Sequence, residues 1–321
     1  MKSEMRAAVI VAPREIRVET VPLPEPGIGQ VRIRVEGCGV CHSNLPLWEG
    51  RDWFKYPLSA GNPGHEGWGR VDAASPEVRD LTPGRRVAFL SSTAFAEYDV
   101  VSGDALVPLP PALEGQPFPG EPLGCAMNIF RRSEIRAGQT VAVVGVGFLG
   151  ALLCRLASQA GARVIALARR PFAQRIARDY GAEIVIPMDD RGRAVEEVRE
   201  LTAGRLCERA IECAGAQRPL DLAGELTGER GRLVIAGFHQ DGPRQVNLFL
   251  WNWRGLDVVN AHERDPRTYL EGMRMAIDAV ASGQIDPRPL YTHEFPLARV
   301  GEAFEAVRTR PDGFLKALVR T

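Results

Sequence analysis

The sequence of 321 residues carries no net charge, because forty lysines and arginines stand against forty aspartates and glutamates. Without a global field it has no electrostatic means of gathering nucleic acid or an anionic membrane, so the expected partner is a small molecule. A long apolar run is also missing. The first candidate, Ala7 to Ala12, is stopped by Pro13 before it could serve as a secretory signal or span a bilayer, and a cytoplasmic address is expected. Cysteine is scarce, and six at irregular spacing do not read as a disulfide framework; in a reducing compartment such thiols are free or bound to metal. Cys38 and Cys41 have no second C-x-x-C pair, which excludes a zinc ribbon. No internal repeat or low-complexity tract occurs.

What is present is the composition of a soluble globular protein, 45% hydrophobic and 25% charged, long enough for two compact domains. The first 118 or so residues read as strands and turns: Ala7 to Val11, Ile16 to Glu19, Val31 to Gly37 and Arg86 to Leu90. Pro108 to Pro122 packs six prolines into fifteen residues and reads as a stiff connection, with the domain boundary just after it. From Gln139 the pattern alternates: strand Val141 to Val144, helix Leu149 to Ala160, strand Arg163 to Leu167, helix Phe172 to Tyr180, strand Ile184 to Ile186, helix Ala194 to Leu201, strand Arg209 to Glu212, helix Pro219 to Leu226 and strand Arg232 to Ala236. A doubly wound parallel sheet in an α/β fold follows. A helix over Pro266 to Ser282, a strand at Thr292 to Pro296 and a helix at Val300 to Thr309 are expected to return to the first domain. The division is 1–125 with 261–321, and 126–260.

Gly145-Val-Gly147-Phe148-Leu149-Gly150 follows an apolar strand and opens a helix, the context in which this glycine spacing binds a dinucleotide. Gly145 permits the tight turn, Gly147 admits a pyrophosphate to the backbone, and Gly150 allows close helix–strand packing at a helix N-terminus. The second strand ends in Leu167-Ala168-Arg169-Arg170 instead of the usual acidic residue. Ala168 removes the carboxylate that would repel a 2′-phosphate, and two guanidinium forks suit one, so NADP(H) is expected over NAD(H). The alternative is that both arginines are solvated residues at a helix start.

In the first domain Cys41, on a glycine-flanked turn after Glu36-Gly-Cys38-Gly-Val, and His65, in Gly64-His65-Glu66-Gly67, are ligands of the kind zinc takes. Cys125, in Glu121-Pro-Leu-Gly-Cys125 at the domain boundary, is the candidate third ligand. Together with the glycine turn these residues resemble the zinc-dependent alcohol and polyol dehydrogenase branch of the medium-chain dehydrogenase/reductase family, over nearly the whole chain. The resemblance implies a GroES-like catalytic domain beside a Rossmann domain. It implies Cys41 and His65 as ligands, Glu66 as an adjacent acid and occasional ligand, and Cys125 as the third ligand with Glu121 in reserve. It also implies Ser43 as proton acceptor, and His42, Phe148, Leu149 and Lys316 among the cofactor contacts, Lys316 reaching the pyrophosphate. An exposed lysine without a role is the alternative for Lys316.

The departures from that family carry expectations of their own. No cysteine lies between Cys41 and Cys125, so one catalytic Zn2+ is expected and no structural zinc lobe. Asn44 replaces the aspartate that supports the zinc-bound histidine, and Pro46 replaces the relay histidine of some members. Zinc would act as a Lewis acid on the oxygen of an alcohol, or of its carbonyl in reverse, while hydride passes to the nicotinamide. Trp48, Trp53, Phe54, Trp251 and Trp253 are candidate pocket, interface or core aromatics. A homo-oligomer, dimer or tetramer, is expected, paired near Phe249 to Val259. Two rival readings are a zinc-free NADPH quinone or enone reductase of the same family, and a non-catalytic redox sensor using Cys38 and Cys41.

Overall fold

The computed structural model describes residues 3–240 and 242–321. These divide into two compact units, one formed by residues 3–124 with Asp265–Thr321 and the other by the described residues of Cys125–Arg264. The first unit begins with strands β1 (Glu4–Ala12), β2 (Glu15–Pro22) and β3 (Gln30–Val40), a short helix α1 (Leu45–Glu49), and strands β4 (Glu66–Ala74), β5 (Arg86–Phe89), β6 (Tyr98–Ser102) and β7 (Leu106–Pro108). Helix α2 (Gly120–Ser133) leads into the second unit. There β8 (Thr140–Val144), α3 (Phe148–Gln159), β9 (Arg163–Ala168), α4 (Pro171–Asp179), β10 (Ile184–Pro187), α5 (Arg191–Leu201), β11 (Cys207–Glu212), α6 (Gln217–Leu226), β12 (Thr227–Ile235), α7 (Leu248–Arg254) and β13 (Asp257–Asn260) alternate. The chain ends with α8 (Pro266–Ala281), β14 (Tyr291–Pro296), α9 (Val300–Thr309) and β15 (Lys316–Arg320).

In the first unit a seven-stranded sheet runs β14-β15-β3-β4-β5-β7, with β6 also paired to β3. Its apolar positions, among them Val31, Ile33, Val35, Val87 and Val319, close on a core into which α9 inserts Phe304. That ring meets Trp48 at 5.8 Å and Phe95 at 5.6 Å, so Trp48 is a core residue. The strand expected over Val31 to Gly37 continues through Gly39 to Val40, so the turn begins only at Cys41. Glycines are needed in that strand because a Cβ at Gly37 would lie 2.5 Å from the Trp68 ring, and one at Gly39 would fall on the Glu66 carboxylate.

The second unit is a six-stranded sheet, β10-β9-β8-β11-β12-β13, parallel throughout. Val141 to Val144 and Val164 to Leu167 are completely buried, as strands covered on both faces must be. Strand order reverses between β8 and β11, the point in such sheets where ligands bind. Two expectations shift here. The proline-rich connection ends earlier than Pro122, since α2 already starts at Gly120 and holds Pro122 in its first turn, where a missing N–H breaks no helical bond. The edge strand β13 and helix α7 carry too little periodic pattern to be anticipated from sequence. Among the described residues no helix is long and apolar enough to cross a membrane.

Candidate metal centre and dinucleotide turn

β3, β4 and β15 create the polar corner of the first unit. Antiparallel pairing sets Gly39 of β3 opposite Glu66 on one side and Leu318 on the other. With no side chain at Gly39, the Glu66 carboxylate and the Lys316 ammonium meet across it. Glu66 is fully buried and Lys316 is 5% exposed. The lysine donates to Glu66 Oε1 at 2.6 Å and to the Val40 carbonyl at 3.3 Å. Burial disfavours the charged ammonium, but the Glu66 and Cys41 charges outweigh it and raise the Lys316 pKa above its ordinary value. The exposed-lysine alternative is thereby closed.

Cys41 follows β3 directly, and His65 precedes β4. The ligand-capable atoms of Cys41, His65 and Glu66 all lie within 4.8 Å of one another, the metal-capable group found among the described residues. Asn44 braces it from behind. Its Oδ1 accepts the Cys41 backbone N–H at 2.9 Å, and its Nδ2 donates to the Pro63 carbonyl at 3.0 Å. The same carbonyl lies 3.1 Å from His65 Nδ1 and can only accept, so it selects the tautomer protonated at Nδ1 and leaves Nε2 for a ligand. Asn44 Nδ2 also approaches His65 Nδ1 at 3.2 Å, so the amide expected in place of an aspartate touches the ring without accepting its proton. Burial pulls the His65 pKa down, but the hydrogen bond and charge of Cys41, with the charges of Glu121 and Glu66, push it up to about 10.

Ser43 is half-buried and His42 exposed in the turn after Cys41. Glu121 and Cys125 are half-buried in the first turns of α2, and Cys125 is outside the Cys41–His65–Glu66 group. Cys38 is 1% exposed, which removes it as a surface partner for Cys41.

In the second unit, Gly145 adopts φ of 96° and makes the turn out of β8. A Cβ at Gly150 would approach the Gly145 carbonyl to 2.2 Å, so only glycine lets α3 start so close to the strand, while a Cβ at Gly147 would meet nothing within 4 Å. The N-cap of α3 is Gly147 itself and supplies no side-chain acceptor. An open turn at a helix N-terminus of this kind is able to receive a pyrophosphate. Ala168 is buried at the end of β9, Arg169 beyond it is exposed, and Arg170 is the N-cap of α4.

A family model of the alcohol dehydrogenase GroES-like domain matches residues 27–111, and one of zinc-binding dehydrogenases matches 149–278. The chain belongs to the zinc-type medium-chain dehydrogenase/reductase family. Rat sorbitol dehydrogenase is 29% identical to this dehydrogenase, with 96% of this chain and 94% of the relative covered. A protein from Sinorhizobium meliloti 1021, described as a zinc-binding dehydrogenase and crystallised with NADP, is 27% identical with a TM-score of 0.84 over 100% of both chains. The 2R,3R-butanediol dehydrogenase of Bacillus subtilis gives 25% identity and a TM-score of 0.85 over 99% of each chain. The dehydrogenase is thus an NAD(P)-dependent oxidoreductase of the alcohol dehydrogenase type.

Among its aromatics, Trp53 is 65% exposed beside Phe54, Trp251 packs on the core of the second unit, and Trp253 is 81% exposed. Sequence reasoning missed Gly39 and Pro63, which shape the metal corner without offering a ligand side chain. The Gly-Cys-Gly spacing within a strand was the available signal for Gly39.

Proposed function

We propose that this dehydrogenase interconverts an alcohol and its carbonyl with NADP(H) and one catalytic zinc, and that no structural zinc is held. The observation that carries the reading is the convergence of Cys41, His65 and Glu66 within 4.8 Å, a sulfur, nitrogen and oxygen donor set of the kind zinc takes. Cys41 Sγ and His65 Nε2 would hold the ion, with Cys125 as third ligand, Glu121 as reserve and Glu66 as occasional ligand. When bound, zinc supplies Lewis-acid polarisation of the substrate oxygen and the nicotinamide supplies the hydride acceptor.

The protein's own groups do the rest. Asn44 and Pro63 orient the two ligands, Ser43 Oγ takes the proton released by the alcohol and hands it towards solvent, and Lys316 balances the Glu66 charge. The ammonium is committed to Glu66 and Val40, so its placement lends no support to a pyrophosphate contact. Gly145, Gly147 and Gly150, with Phe148 and Leu149 amides, receive the pyrophosphate, and His42 is a further cofactor contact. Arg169 and Arg170 take the 2′-phosphate, and the NADP held by the Sinorhizobium meliloti relative supports that preference. Polyols and vicinal diols are the first substrates to try, given the sorbitol and butanediol relatives. The same reading includes a cytoplasmic address. It also includes a dimer or tetramer formed over α7 and β13, where Phe249 and Trp253 are 79% and 81% exposed.

Metal analysis with a polyol and diol activity panel tests it. The expected result is about one zinc per chain, with Cys41→Ser losing zinc and about a thousandfold in kcat, the several kcal/mol a Lewis acid supplies, while NADPH binding persists. Full activity without metal would turn the reading to the zinc-free reductase, and binding without turnover to the sensor.

A further inference from the structure

The second unit holds a buried charged chain that the metal chemistry does not use. Glu212 ends β11 fully buried. Its Oε1 accepts the backbone N–H groups of Ala214 at 2.7 Å and Gly215 at 2.8 Å, and its Oε2 lies 3.1 Å from His239 Nε2. Arg244 Nε donates to His239 Nδ1 at 2.9 Å, and its Nη2 to the Gly215 carbonyl at 3.2 Å. A guanidinium has only donors, so His239 Nδ1 accepts, the ring is neutral, and its one proton sits on Nε2 and points at Glu212. The chain ties together two loops, 213–215 after β11 and 236–239 after β12. They touch backbone to backbone, since a Cβ at Gly237 would stand 2.2 Å from the Gly215 nitrogen and 2.6 Å from Glu212 Oε2.

Both loops leave the carboxyl edge of the parallel sheet on the β11 side of the switch point. A sheet of this order is built from two mononucleotide-binding halves. β8 and β9 form one, with the glycine turn and Arg169. β11 and β12 form the other, and with the adenosine half on the β8–β9 side the second mononucleotide of a bound dinucleotide, the one bearing the nicotinamide, would fall to it. The two halves adjoin at Ala214, whose Cβ would be 3.1 Å from a Cβ placed on Gly145.

We propose that Glu212, His239 and Arg244 are positioning residues for the nicotinamide ring. A buried carboxylate with three donors fixes the two loop backbones in one arrangement before the cofactor arrives, so the ring meets a surface that has no ordering left to do. The inference rests on the dinucleotide reading above and goes beyond it by assigning the second half of the cofactor to three side chains outside the glycine motif.

The test compares NADPH with 2′-phospho-ADP-ribose, which lacks only the nicotinamide ring, on full-length zinc-loaded protein. His239→Phe keeps a planar aromatic ring, larger than the imidazole, and removes both hydrogen bonds. It should raise the NADPH Kd about tenfold and lower kcat, the loss of a buried charge-assisted bond, while leaving the Kd for 2′-phospho-ADP-ribose within about twofold. Arg244→Met spares the Glu212–His239 contact and should act in the same direction by a smaller factor, and it carries the test if His239→Phe does not fold. Unchanged NADPH affinity and kcat would overturn the assignment. So would an equal loss for both ligands, which marks a merely structural role. A wild-type protein that binds neither ligand would remove the dinucleotide reading itself, a result distinct from either.

Discussion

In the first unit the candidate centre is assembled from side chains on β3, β4, β15 and the turns beside them, whereas in the second the candidate cradle for a pyrophosphate is the backbone of six consecutive residues. The difference is one of range. Glu66 and Lys316 are separated by 250 residues and meet only because β3 lies between their strands with glycine at the crossing point. Gly145 to Gly150 need no partner from elsewhere to make their turn, only a strand before them and a helix after. A side-chain site should therefore fail when any one distant strand is altered. A backbone site should fail only when its own turn is filled.

The largest effect expected from that contrast is in Lys316→Met. It leaves the buried Glu66 without its counter-charge, and the first unit should lose about 3–5 kcal/mol of stability in urea unfolding. A loss below about 1 kcal/mol would mean that the pair is not the tie between β4 and β15 that its geometry indicates. Next is Gly150→Ala. Its Cβ must push against the Gly145 carbonyl, so the turn opens, and overpacking of about 1–3 kcal/mol should appear as weaker NADPH binding by fluorescence titration, with zinc content unchanged. Loss of zinc in that variant would erase the separation between the two sites.

The smallest effect is on zinc uptake as a function of pH. The His65 pKa is raised to about 10 in the metal-free protein, so below that value a proton must leave before Nε2 can ligate. Apparent zinc affinity should rise with pH towards about 10 and fall as pH falls, and His65→Ala should reduce the number of protons released per zinc in calorimetry across buffers. A flat profile would show that His65 does not enter the metal shell.

Legibility in the sequence follows the same division. The parallel sheet was readable because each buried strand is a short apolar run such as Val141–Val144 followed by a helical period. The helix starting at the glycine motif was placed within one residue, since Phe148–Gln159 begins at the turn itself. The strand read over Val31 to Gly37 runs on to Val40, and its extension was not legible because the glycines answer to Trp68 and Glu66 across the sheet, neighbours that are not visible along the chain. The chain from Glu212 through His239 to Arg244 left no sequence signal, since none of the three belongs to a motif with fixed spacing.

By itself the sequence determined the class of fold, the glycine turn, and the presence of Cys41 and His65 beside glycines, because these depend on local period, spacing and residue chemistry. Tertiary structure alone decided that Lys316 is buried on Glu66, that Pro63 fixes the His65 tautomer, and that Glu212 clamps two loops. Each of those rests on strand register and close approach between distant segments, and the energy of a buried charge is set by what the fold brings next to it.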